Sequence, residues 1–189
     1  MKHVRAIVVI SALLGVACPL SLKAEDASAV LEVSSDGDNI VLSVPVSRLL
    51  VSFPRGDLVR DEAPVGGATG SPRYFHFLDK TKGLVVSGWF ESASGWAGFD
   101  KFVTGEFLAM KKSGFVPKQA PEMVASDRWL AYSYEIDLPG GTNANVRAEL
   151  ISAGTWLDVH ISVTSAGPAS EAREQAVQFL KSILIKEKS

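Results

Sequence analysis

Asp158, His160 and Ser162 stand at alternate positions of one short segment, Trp156-Leu157-Asp158-Val159-His160-Ile161-Ser162-Val163. A carboxylate, an imidazole and a hydroxyl are the parts of a nucleophilic triad. Alternate residues share one face of a strand, with Cα atoms roughly 6.6–7 Å apart. Their side chains then stand side by side, and the Asp-to-His and His-to-Ser hydrogen bonds are strained. A catalytic serine is instead raised on a sharp turn beside an oxyanion hole, and the chain has no Gly-x-Ser-x-Gly. No catalytic residue is assigned on this pattern, and the expectation is a protein that is not an enzyme.

Metal binding fares similarly. Beyond residue 24 the chain has two histidines, His76 and His160, and no cysteine. A zinc site would need carboxylates from separate strands, with Glu135 or Glu149 joining Asp158 and His160. Charge pairing among Arg147, Glu149, Glu135 and Asp158 across a sheet is the simpler use of these residues. Neither a metal nor a cofactor is expected. The tryptophans carry more information. By alternation, Trp129, Glu135, Arg147, Glu149, Trp156, Asp158 and His160 fall on the face opposite an apolar stripe. Aromatic and Arg side chains are favoured in binding sites because they bury much area with few rotors. The expectation is a groove lined by Trp156, His160 and Arg147, with Trp129, Glu135 and Asp158 beside it. His160 would make its affinity sensitive to pH between about 5.5 and 7.5. The competing expectation is that a helix covers the tryptophans as a second core layer.

The elements that must position these residues follow from periodicity. Ile40 to Val46, Leu49 to Phe53, Tyr74 to Leu78 and Leu84 to Phe90 read as strands. Residues 61–72 hold three Gly and two Pro and read as a flexible loop that could act as a flap over the groove. No Lys follows Gly70, so the loop is not a phosphate cradle. Phe99, Phe102, Val103, Phe107 and Met110 recur at helical spacing, which predicts a helix over Gly98 to Ser113. Lys111, Lys112 and Gly114 suit its C-terminal end.

Three alternating strands come next. Leu130, Tyr132, Tyr134, Ile136 and Leu138 form one set in the first. Val146, Ala148 and Leu150 form the apolar set in the second, and Leu157, Val159, Ile161 and Val163 in the third. The turns are Pro139–Asn143 and Ala153-Gly154. Period two with one polar face means an antiparallel meander. A helix from about Pro168 to Ile185, striped by Ala176, Val177, Leu180, Ile183 and Leu184, closes the chain over it.

The strand Trp156, Asp158 to Val163, the short loop after it and the closing segment Gln175-Ala176-Val177-Gln178-Phe179-Leu180-Lys181-Ser182-Ile183 resemble the C-terminal half of Mog1/PsbP-like domains. The upstream order of strands, a Phe-rich helix, a loop and a three-stranded meander is similar too, over residues 38–185. The resemblance implies an α+β fold, an antiparallel sheet sandwiched by helices (α/β/α), and an accessory or protein-binding role. It carries over no catalytic residues.

The N-terminus supplies the compartment. Lys2 and Arg5 precede an uncharged apolar run, Ala6 to Ala17, and Leu22-Lys23-Ala24 follows. This is the layout of a signal peptide over residues 1–24, cleaved between Ala24 and Glu25, with one domain over 25–189. The run falls short of the about 20 residues of a membrane span. Loss of Lys2, Arg5 and Lys23 takes the formal charge from −2 to −5. Such a chain has no electrostatic attraction for nucleic acid. The leading expectation is a periplasmic or secreted accessory protein that binds another envelope protein or a weakly held ligand. One alternative is a hydrolase or metal-dependent enzyme using His160 with nearby carboxylates. Another is an envelope factor lipidated at Cys18.

Overall fold

The computed structural model describes residues 30–61 and 72–188. The signal peptide, its cleavage point at Ala24 and Glu25, Cys18, and all but the ends of the 61–72 loop lie outside the described residues. The architecture is α+β, with two antiparallel sheets and two helices.

The smaller sheet runs β1 (Glu32–Asp36), β2 (Asn39–Ser43), β3 (Leu49–Pro54) and β11 (Leu184–Glu187), in that order. The larger sheet has seven strands: β4 (Val59–Arg60), β5 (Tyr74–Asp79), β6 (Leu84–Ser92), β10 (Thr155–Ser165), β9 (Gly141–Ser152), β8 (Leu130–Leu138) and β7 (Glu122–Val124). The helices are α1 (Phe99–Lys112) and α2 (Ala169–Ser182).

One face of the seven-stranded sheet carries the main core. Phe75, Phe77, Val86, Phe90, Leu157, Val159 and Ile161 are buried there with Ala131, Ala144, Val146 and Ala148. Two layers share this face. The smaller sheet covers the β5 side, where Phe53 meets Phe77 edge-on at 5.5 Å. Helix α2 packs mainly on β9 and β10 and buries Ala172, Ala176 and Leu180. Phe179 joins the two layers, 5.8 Å from Phe53. The alanines explain the placement: small side chains on both surfaces let the helix approach closely.

Gly88 holds the centre of this face. A Cβ there would stand 2.0 Å from the Asp158 carbonyl oxygen and 2.6 Å from the Phe75 ring. The missing side chain lets Phe75, directly opposite on β5, lie across the strand.

Three expectations change. The loop between the Phe-rich helix and the meander is not all loop, because Glu122–Val124 within it pairs with β8. The last helix does not reach Ile185: Ile183 is already extended, and Leu184–Glu187 adds a strand to β3. Leu184 is therefore exposed rather than part of the α2 stripe. There are also two sheets where one was expected, so α2 shares its face of the larger sheet with four strands.

Candidate functional site

The other face of the seven-stranded sheet holds the residues that could do chemistry. Register puts them in two rows. Tyr74, Trp89, Asp158 and Glu149 lie in line across β5, β6, β10 and β9. His76, Ser87, His160, Arg147 and Tyr132 form the next row. The turn at Ala153-Gly154, both with positive φ (49° and 77°), joins Ser152 to Thr155 and so sets Glu149 opposite Asp158.

Helix α1 covers the β8 to β10 part of this face. Its side chains Phe99, Phe102, Val103 and Phe107 pack on Met110, Tyr132 and Tyr134. Phe107 stands 6.0 Å from Tyr132 and 5.8 Å from Tyr134. Phe102 lies over the Arg147 guanidinium at 5.2 Å and meets Trp156 edge-on at 6.1 Å. Trp96, just before the helix, adds a contact to Trp156 at 5.1 Å.

Beneath α1, Arg147 is the centre of a buried polar cluster. Its Nη2 donates to Asp158 Oδ2 at 2.9 Å and stands 3.5 Å from Glu106 Oε2 of α1. Burial, the largest influence, works against its charge, but Asp158 and Glu106 outweigh it and hold the guanidinium protonated. Glu149 is fully buried, and its Oε2 accepts from Trp156 Nε1 at 2.6 Å. Burial, then the neighbouring Asp158, pushes Glu149 well above the usual carboxylate range. Asp158 is raised to about 6, by burial first, with Arg147 opposing. Tyr132 and Tyr134 are likewise raised by burial.

The sequence-predicted residues divide between the two faces. Arg147, Asp158, His160 and Trp156 come together on the α1 face. Trp129 and Glu135 do not. Trp129 is buried in the main core on the α2 side, and Glu135 pairs with Ala144 on that same face. Strand β8 is turned over relative to the expectation because its tyrosines meet the phenylalanines of α1. Arg147 is buried, with the Phe102 ring against its guanidinium, so among the described residues it does not line an open groove. The pH role expected of His160 also changes. Its Nε2 pairs with Asn145 Oδ1 at 2.9 Å, and burial, then Arg147 and His76, holds its pKa well below the ordinary value.

Asp158, His160 and Ser162 are not linked as a triad: Asp158 bonds Arg147 and His160 faces Asn145. Sequence reasoning missed Glu106, Tyr132, Tyr134, Tyr74, His76 and Ser87. For Glu106 the available signal was its place on the Phe-rich side of α1, between Val103 and Phe107. His76 is buried with Nδ1 3.7 Å from Asp61 Oδ2, and burial lowers its pKa against the pull of Asp61. Among the described residues no group of three or more His, Cys, Asp or Glu could hold a metal ion. A separate pocket of about 240 Å³ lies where the β2–β3 connection meets the end of β6 and the start of β10, lined by Val46, Ser47, Phe90, Ser92 and Thr155 among others. No helix among the described residues is long and apolar enough to cross a membrane.

No protein-family model matches the chain, and no curated protein matches it significantly.

Proposed function

We propose that the chain is an exported accessory protein of the Mog1/PsbP-like class, processed near Ala24, that works by contact with another envelope protein and not by catalysis. The order of elements, with a Phe-rich helix, a meander and a closing helix, supports the family resemblance. The contact reading rests on an apolar strip at the margin of the α1 side of the seven-stranded sheet. Met123, Leu130 and Ile151 are 66%, 45% and 38% exposed. Met123 lies opposite Tyr132, Leu130 opposite Glu149 and Ile151 opposite Trp156, so the strip crosses β7, β8 and β9 diagonally and ends at a half-buried indole. Contiguous exposed apolar side chains mark interaction sites, and Trp is among the residues that carry most binding energy.

The test is capture from an envelope extract by the tagged mature protein, with the N-terminus of the exported form sequenced. The expected result is a start near Glu25 and a defined co-purifying protein that Leu130→Glu and Met123→Glu each release. Capture that survives both substitutions, in variants with unchanged circular dichroism, refutes the strip as the contact. An intact Met1, or lipid on Cys18, refutes the processing.

A further inference from the structure

The two carboxyls at the centre of the cluster have a bonding problem that locates a proton. Glu149 and Asp158 are direct cross-strand partners within hydrogen-bonding reach. One oxygen of each is satisfied: Glu149 Oε2 by the Trp156 indole and Asp158 Oδ2 by Arg147. The other two, Glu149 Oε1 and Asp158 Oδ1, are buried with no donor among the described residues. Ionised carboxylates only accept, so two of them side by side leave both oxygens orphaned and add like-charge repulsion. A proton on Glu149 removes both costs, because its O–H donates to Asp158.

Arg147 connects this pair to the covering helix. Its Nη2 serves two carboxylates, Asp158 at 2.9 Å on the sheet and Glu106 at 3.5 Å on α1. The helix rests on the buried Tyr132 and Tyr134 through the half-buried Phe99, Phe102 and Phe107, and the Arg147–Glu106 ion pair adds a charged contact to that apolar one.

We propose that Glu149 and Asp158 hold a single shared proton, and that this dyad, acting through Arg147 on Glu106, sets how firmly α1 is clamped over the sheet. With one proton on the pair, Asp158 is ionised and competes with Glu106 for the guanidinium. A second proton, taken from solvent onto Asp158, ends the competition and leaves Arg147 to Glu106. Acidification therefore tightens α1, and neutral pH loosens it.

The groups facing the dyad support this assignment. On β10 and β9 they are His160 and Arg147; on β5 they are Tyr74 and His76; on β8 they are Tyr132 and Tyr134, both raised by burial; on α1 it is Glu106. Burial holds His160 and His76 below their ordinary values and raises Tyr74 to about 12 and Tyr132 further. Arg147 stays charged. Asp158, the dyad member in contact with Arg147, is raised to about 6, inside the mildly acidic range.

Two measurements on the full mature chain test the proposal. In carbon-detected NMR, Glu149 and Asp158 should titrate as a coupled pair, with Glu149 still protonated when Asp158 ionises. Glu149→Gln, whose amide supplies the missing donor, should move Asp158 to lower pH. Two independent titrations in the ordinary carboxylate range overturn the dyad. Hydrogen exchange, corrected for intrinsic rates, reads the clamp. Amides of residues 99–112 should exchange about two- to fivefold more slowly near pH 5 than near pH 7.5, while those of α2 do not change. Glu106→Gln should abolish that difference. No pH effect in the parent protein, or an effect that persists in Glu106→Gln, refutes the link from the dyad to α1.

Discussion

Asp158→Asn gives the most direct thermodynamic test of the buried cluster. Asp158 is buried, and its pKa is raised from 3.8 to about 6, with burial outweighing Arg147. Between those values the folded protein holds a proton that the unfolded chain has lost. Stability therefore falls as pH rises through this window, by 1.36 kcal/mol per unit, on the order of 3 kcal/mol in all. This is the reverse of the usual carboxylate contribution, in which an ion pair depresses the pKa and acid destabilises. The lowered values of His76 and His160 act oppositely, reducing stability as pH falls below their ordinary range, but they are present in both proteins and largely cancel in the comparison. The amide that replaces the Asp158 carboxyl has no proton to lose in this range. Urea unfolding followed by tryptophan fluorescence, in steps from about pH 4 to about pH 8, gives the stability of each protein. The variant should gain on the parent by roughly 3 kcal/mol from acid to neutral pH, with the change complete by about pH 7. A difference that is flat with pH refutes the raised pKa. A difference of opposite sign means that the Arg147 ion pair dominates and that burial has been weighed wrongly.

Two other substitutions test the framework that positions the cluster. Leu180 is 1% exposed where α2 meets the main core, so Leu180→Ala should cost about 2–5 kcal/mol in the same urea experiment; a loss below about half a kcal/mol would mean that α2 does not cap this face. Gly88→Ala drives a methyl group to within 2.0 Å of a backbone oxygen of β10 and should cost at least about 1–3 kcal/mol. Unchanged stability would show that β6 and β10 are not this close.

Much of the architecture was legible locally. The alternation in residues 130–163 marked three strands. The Ala153-Gly154 turn is the reason Glu149 meets Asp158, since a two-residue hairpin fixes which residues face each other. The Phe spacing of 99–110 gave α1 to within a residue at each end. Other parts had no local signature. β7 and β11 have three and four residues, too few to show a period, and exist because an open sheet edge offers partners for their backbone groups.

The orientation of β8 shows where sequence reading stops. Alternation sorts its residues into two sets, Trp129, Ala131 and Ser133 against Leu130, Tyr132 and Tyr134, and both contain large apolar groups. Nothing within the strand says which set meets which layer. The tertiary structure decides by size: the alanines of β8 and β9 admit α2, and the tyrosines go to the phenylalanines of α1. The same holds for protonation. The sequence determines that a Glu and an Asp are neighbours across a hairpin, an arrangement that in water would be two ordinary carboxylates. Only a helix from about 40 residues upstream, laid over them with Glu106 and Phe102 against Arg147, removes the water, and it is that desolvation which makes one of them keep its proton.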